Sequence, residues 1–97
     1  MVRKEIKEFE WDQGNIDKNY RKHGISPNEA EEVLLDENLA IIDDIKHSQV
    51  EKRYIALGKT SAKKVLFVIF TTRKGKIRII SARPANKKER GFYEKKL

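Results

Sequence analysis

In this 97-residue sequence, the side chains able to move protons or hold a phosphate fall at a few telling spacings. His23 directly precedes Gly24 at a predicted helix end, where the helix dipole favours the protonated imidazole and suits it to acid duty. A histidine before a helix-ending glycine also serves as a cap or packing residue, and the sequence leaves both roles open. Arg78 and Arg83 stand five positions apart in one strand-like segment, so regular alternation puts them on opposite faces. Arg83 abuts Pro84 and the start of the last predicted helix. Because helix N-termini attract phosphate, Arg83 is the preferred phosphate clamp, with an ordinary surface ion pair as its alternative. Glu89, Arg90 and Tyr93 follow at helical spacing and share one surface. Glu89 is placed to act as a general base or to cap the helix, and Tyr93 to donate a proton, to stack or simply to pack. His23 and His47 lie 24 positions apart in a chain without Cys, so the expectation is a site with no metal and no cofactor.

The balance of charge says what such a site would meet. The chain has 22 Lys and Arg against 15 Asp and Glu, a net +7. Residues 59–97 hold 13 basic and 2 acidic side chains, whereas residues 1–58 hold 9 and 13. Basic side chains cannot hide inside so small a body, so the C-terminal part must create a positive face. Its partner class is anionic: nucleic acid, an acidic protein or an anionic membrane surface. The membrane reading lacks a basic amphipathic helix with a broad apolar face. Without Cys, a disulfide-stapled miniprotein and a zinc ribbon are excluded. The longest apolar run, residues 65–70, is far too short to cross a bilayer. We expect one domain over residues 1–97, soluble and cytoplasmic.

The elements that must position these residues are legible in outline. Alternation in residues 2–8 ahead of Phe9 predicts a first strand ending near Trp11. Asp12 can cap a helix carrying Ile16, Tyr20 and His23 on one face, and Gly24 can end it with a positive φ. Ser26-Pro27-Asn28-Glu29 is a capping box with proline at the first helical position, opening a helix that should end near Asp36 or Glu37. Residues 39–43, 53–58, 64–72 and 76–83 are rich in Ile, Val, Phe and Tyr and short in their connections, which favours an antiparallel meander. Residues 65–70 are apolar on both faces and should form its central strand, turning at Arg73-Lys74-Gly75. Asn86 and Glu89 repeat the capping spacing of a last helix. The order is β-α-α-β-β-β-β-α, an α+β arrangement with helices packed on a curved, mainly antiparallel sheet.

Particular residues add a resemblance. Phe9-Glu10-Trp11-Asp12, Lys18-Asn19, Lys22-His23-Gly24, Ser26 with Glu29-Ala30, His47-Ser48, Glu51 with Arg53, and Arg78-Ile79-Ile80-Ser81-Ala82-Arg83 with Ala85, Glu89-Arg90 and Tyr93 occur in order. Together, over residues 9–94, the chain closely resembles the BrnT family of bacterial type II toxins. Asn15 departs from the family's usual Lys there, which removes one positive charge from the first helix. The resemblance implies a RelE-like fold, ribonuclease activity that blocks translation, and neutralisation by a BrnA-like antitoxin. That antitoxin would carry a ribbon-helix-helix part, through which alone the complex meets DNA.

Metal-free RNA cleavage needs a group to take the 2′-hydroxyl proton, one to protonate the leaving 5′-oxygen, and fixed positive charge at the phosphorane. His23, Arg83, Glu89 and Tyr93 are the candidates for that chemistry, and Lys18, Lys22, Arg53, Arg78 and Arg90 for holding RNA. The rival reading is a non-catalytic nucleic-acid- and protein-binding module that acts in transcriptional autoregulation through a DNA-binding partner.

Overall fold

The computed structural model describes residues 8–11, 13–44 and 51–95. The alternation in residues 2–7, the Asp12 cap and the His47-Ser48 pair fall outside them. In chain order the elements are β1 (Phe9–Trp11), α1 (Gln13–His23), α2 (Pro27–Leu34), β2 (Ala40–Asp43), β3 (Tyr54–Lys59), β4 (Val65–Arg73), β5 (Lys76–Pro84) and α3 (Lys87–Lys95). This is the order read from the sequence. The four later strands form an antiparallel meander, and β1 returns to pair in parallel with β5, giving a five-stranded mixed sheet of order β1-β5-β4-β3-β2.

Local chemistry sets the boundaries. Gly24 adopts φ +68° and its N–H closes α1 on the Tyr20 carbonyl at 2.8 Å. Ser26 and Glu29 form the reciprocal capping box of α2 behind Pro27. That helix stops at Leu34, short of the predicted 36–37, because Asp36 turns its carboxylate to the amides of Asn38 and Lys59. Lys74 and Gly75 both take positive φ, +53° and +79°, so a two-residue turn joins the paired Arg73 and Lys76.

Each face of the sheet has its own core. On one, Ile25, Ala30, Val33 and Leu34 pack on Ala56, Leu66, Val68, Phe70, Ile77, Ile79 and Ala82. Here α2 lies so close to β3 that a Cβ on Gly58 would sit 2.6 Å from the Val33 carbonyl oxygen. Trp11 packs beside this core and donates its indole N–H to Glu31 at 3.1 Å, tying β1 to α2. On the other face, Ala40, Leu57, Val65, Ala85 and Tyr93 gather with Phe67 under α3.

One register irregularity corrects a sequence expectation. Ile69 pairs with Ser81 but Phe70 pairs with Ile79, so Ile80 is an extra residue and β5 is bulged. Arg78 and Arg83 therefore oppose Thr71 and Phe67, four positions apart on β4, and share a face instead of opposing ones.

Candidate nucleic-acid interface

Two cationic surfaces flank α3. The first is the part of the sheet that α3 leaves open. Cross-strand register arranges it in rows: Ile42, Ile55, Ile69 and Ser81 in one, Leu57, Phe67 and Arg83 in the next. Arg78 stands further along beside Glu10 of β1, at 3.6 Å, and Lys76 reaches the same carboxylate at 3.8 Å. Arg53 precedes β3, half-buried, and alternation from Ile55 puts it on this face too.

Arg83 is locked in place. Its guanidinium lies 3.9 Å from the Phe67 ring centroid and makes two parallel 2.9 Å bonds to Glu89. Glu89 in turn accepts from the Asn86 amide at 2.9 Å while its own amide donates to the Asn86 side chain at 2.8 Å. Of the two roles left open for Glu89, general base or cap, the capping bonds are present, and the ion pair given as the alternative for Arg83 forms with this same carboxylate. The Arg83 bonds, opposed by partial burial and aided by the Asn86 amide, hold its carboxyl below the ordinary value. A carboxylate so well supplied with donors is a poor proton acceptor at neutral pH.

The second surface is a hollow of about 380 Å³ at the other flank of α3. His23, half-buried at the end of α1, lines it with Lys59, Lys63, Lys64, Arg90 and a single carboxylate, Glu94. The Lys63 and Lys64 side chains are delivered by a tight turn. The Thr60 amide donates to the Lys64 carbonyl at 2.8 Å, the Lys63 amide to the Thr60 carbonyl at 2.9 Å, and Lys63 takes φ +66°. Lys64 also reaches Glu29 at 3.2 Å. Arg90 is braced against the wall by a 2.8 Å bond to the Ala85 carbonyl.

Tyr93 belongs beneath this hollow and not in it. It is 1% exposed, and its hydroxyl donates to Asp36. Lys59 Nζ rides 5.8 Å from its ring centroid. Burial, then the bond to the Asp36 carboxylate and its charge, push the phenol up to about 12. For Asp36, burial works upward, but the bonds from Tyr93 and from the Asn38 and Lys59 amides outweigh it and keep the carboxyl below its usual value. The sequence expectation placed His23, Arg83 and Tyr93 around one cavity. The structure pairs His23 with Arg90, and Arg83 with Glu89, on opposite flanks of α3, with Tyr93 in the core between sheet and helix. Lys18 and Lys22 are exposed on α1 and do not line the hollow.

Sequence reasoning missed Lys59, Lys63, Lys64 and Glu94 as neighbours of His23. The excess of charge after residue 58 was visible, but only the fold brings the turn after β3 to the end of α1. Among the described residues no three His, Cys, Asp or Glu side chains are grouped to hold a metal ion, and no helix is long and apolar enough to cross a membrane.

A small α+β protein with helices on a five-stranded mixed sheet, and with cations concentrated on both flanks of its last helix, is the class this geometry defines. Residues 11–89 match the family model of the ribonuclease toxin BrnT of type II toxin-antitoxin systems. The chain belongs to that family. Its fold is similar to the 1.1 Å crystal structure of the Brucella abortus ribonuclease toxin BrnT, with TM-score 0.63 and 21% identity over 84% of this chain and 100% of that one. No curated protein matches the sequence.

Proposed function

We propose that the chain is a metal-independent endoribonuclease toxin whose RNA cleavage blocks translation, and that a BrnA-like antitoxin with a ribbon-helix-helix part neutralises it. The observation that carries the mechanism is the hollow in which His23 meets four cations and one carboxylate. A phosphodiester seated there has Arg90, Lys59, Lys63 and Lys64 within reach of its developing negative charge. Glu94 takes the 2′-hydroxyl proton in place of the committed Glu89, and the 2′-oxygen attacks phosphorus. The P–O5′ bond breaks, and His23 gives its proton to the leaving 5′-oxygen, so the products are a 2′,3′-cyclic phosphate and a 5′-hydroxyl. Arg83, beyond Pro84, extends the cationic path for the RNA backbone with Arg78 and Arg53. Tyr93 acts as a positioning residue, since its ring carries Lys59.

The test is total RNA incubated with purified protein in EDTA, with and without the antitoxin. We expect cleavage in EDTA that the antitoxin abolishes and that His23→Gln loses while keeping its melting temperature. Cleavage that requires a divalent ion, or a folded His23→Gln variant with full activity, overturns the mechanism.

A further inference from the structure

The open sheet face beside α3 carries an apolar hollow that the cleavage reading leaves unused. A hollow of about 320 Å³ is floored by Ile42, Ile55, Leu57 and Phe67 and walled by Phe92 of α3. Ile42 is 42% exposed and Phe92 46%, although both are large apolar side chains. At its rim stand Lys88, exposed, and Glu89, whose carboxylate is already taken up by Arg83 over Phe67, so the outward-facing charge is that of Lys88.

We propose that this face seats an acidic, amphipathic segment of the antitoxin, its apolar side chains filling the Ile42–Phe92 hollow and its carboxylates meeting Lys88. The proposal rests on the toxin-antitoxin reading above. Three observations choose a protein segment over RNA as the occupant. The floor is largely aliphatic, whereas single-stranded RNA favours aromatic platforms. The guanidinium nearest the floor, Arg83, already gives its two parallel bonds to Glu89 and offers no bidentate grip on a phosphate in this hollow. An exposed aromatic in an apolar hollow rimmed by charge has the make-up of an interface anchor, and a chain of net +7 selects an acidic partner. A geometric consequence follows. Since α3 separates this hollow from that of His23, antitoxin contacts on this face can be removed without touching the cleavage residues.

Phe92→Glu and Lys88→Glu, each checked for native melting behaviour, would be titrated with a purified BrnA-like antitoxin that binds the wild type and assayed for RNA cleavage in parallel. Phe92→Glu should weaken antitoxin binding at least tenfold and Lys88→Glu several-fold, with cleavage by either variant within twofold of wild type and no longer suppressed at wild-type antitoxin doses. Should Phe92→Glu unfold, Lys88→Glu at an exposed position carries the test. Unchanged antitoxin affinity in the folded variants overturns the proposal. So does a loss of cleavage with antitoxin binding intact, which would make the face an RNA surface. If the wild type binds antitoxin but cleaves no RNA, it is the ribonuclease reading that fails, and the binding result still decides this one.

Discussion

The node of Asp36, Tyr93 and Lys59 shows how one buried hydroxyl can be structural in a region rich in reactive groups. Asp36 Oδ2 accepts both the Tyr93 hydroxyl and the Lys59 amide, so one carboxylate joins the end of α2 to β3 and α3. Tyr93→Phe removes one donor and leaves the carboxylate underserved, which costs about 1–2 kcal/mol. The phenol's proton also sets an alkaline limit. Folded Tyr93 titrates at about 12 and the unfolded residue at about 10, so between those values the folded state binds more protons and stability falls as pH rises. Two pH units correspond to roughly 3 kcal/mol. Denaturant melts from pH 9 to 12 should show this decline in the wild type and lack most of it in Tyr93→Phe, with RNA cleavage at pH 7 retained. Of this node the sequence revealed only that Tyr93 shares a helix surface with Glu89 and Arg90. Its partner Asp36 lies 57 positions away, at a distance no local pattern reports.

Elements defined by local rules were the ones legible in advance. Both capping boxes, the Gly24 terminus and the Lys74-Gly75 turn are short-range hydrogen-bond or φ requirements, and each formed where its residues stand. The bulge at Ile80 was not legible. Whether a strand carries an extra residue depends on the strand it pairs with, and alternation counted along β5 alone sends Arg78 and Arg83 to different faces. The same limit applies to Gly58, whose strand gives no sign that α2 will cross it. There the Val33 carbonyl oxygen and Cγ1 would lie 2.6 and 2.8 Å from an added Cβ. The carbonyl belongs to the helix backbone and cannot swing aside, so α2 must lift from β3. Gly58→Ala should therefore cost about 1–3 kcal/mol, as overpacked cores do, which thermal denaturation would register as a loss of roughly 4–8 °C for each kcal/mol. A melting temperature within a degree of wild type would mean that α2 is not held at this distance.

At the scale of the whole molecule, the extents of 33 × 31 × 27 Å span several Debye lengths at physiological salt, so a charge on one side is largely screened on the other. The net charge of +7 draws RNA in from solution without choosing where it sits. What the fold adds is local density, by bringing the Thr60–Lys64 turn up to Arg90 and the end of α1. The two contributions separate in salt titrations. A cation that touches phosphate releases a counterion on binding, worth about 0.7 in the slope of log affinity against log salt for a single strand, whereas a distant cation changes affinity with little effect on the slope. With His23→Gln used to prevent cleavage, adding Lys63→Ala should make the slope for a single-stranded RNA shallower by about 0.7. Adding Lys52→Ala, whose ammonium pairs with Asp43 at 3.4 Å away from the hollow, should leave it unchanged. Equal effects from both substitutions would mean that RNA is held by the general field and that the hollow beside His23 is not where its backbone sits. A shallower slope for Lys63→Ala alone would locate the phosphate at the turn that only the folded chain brings to the histidine.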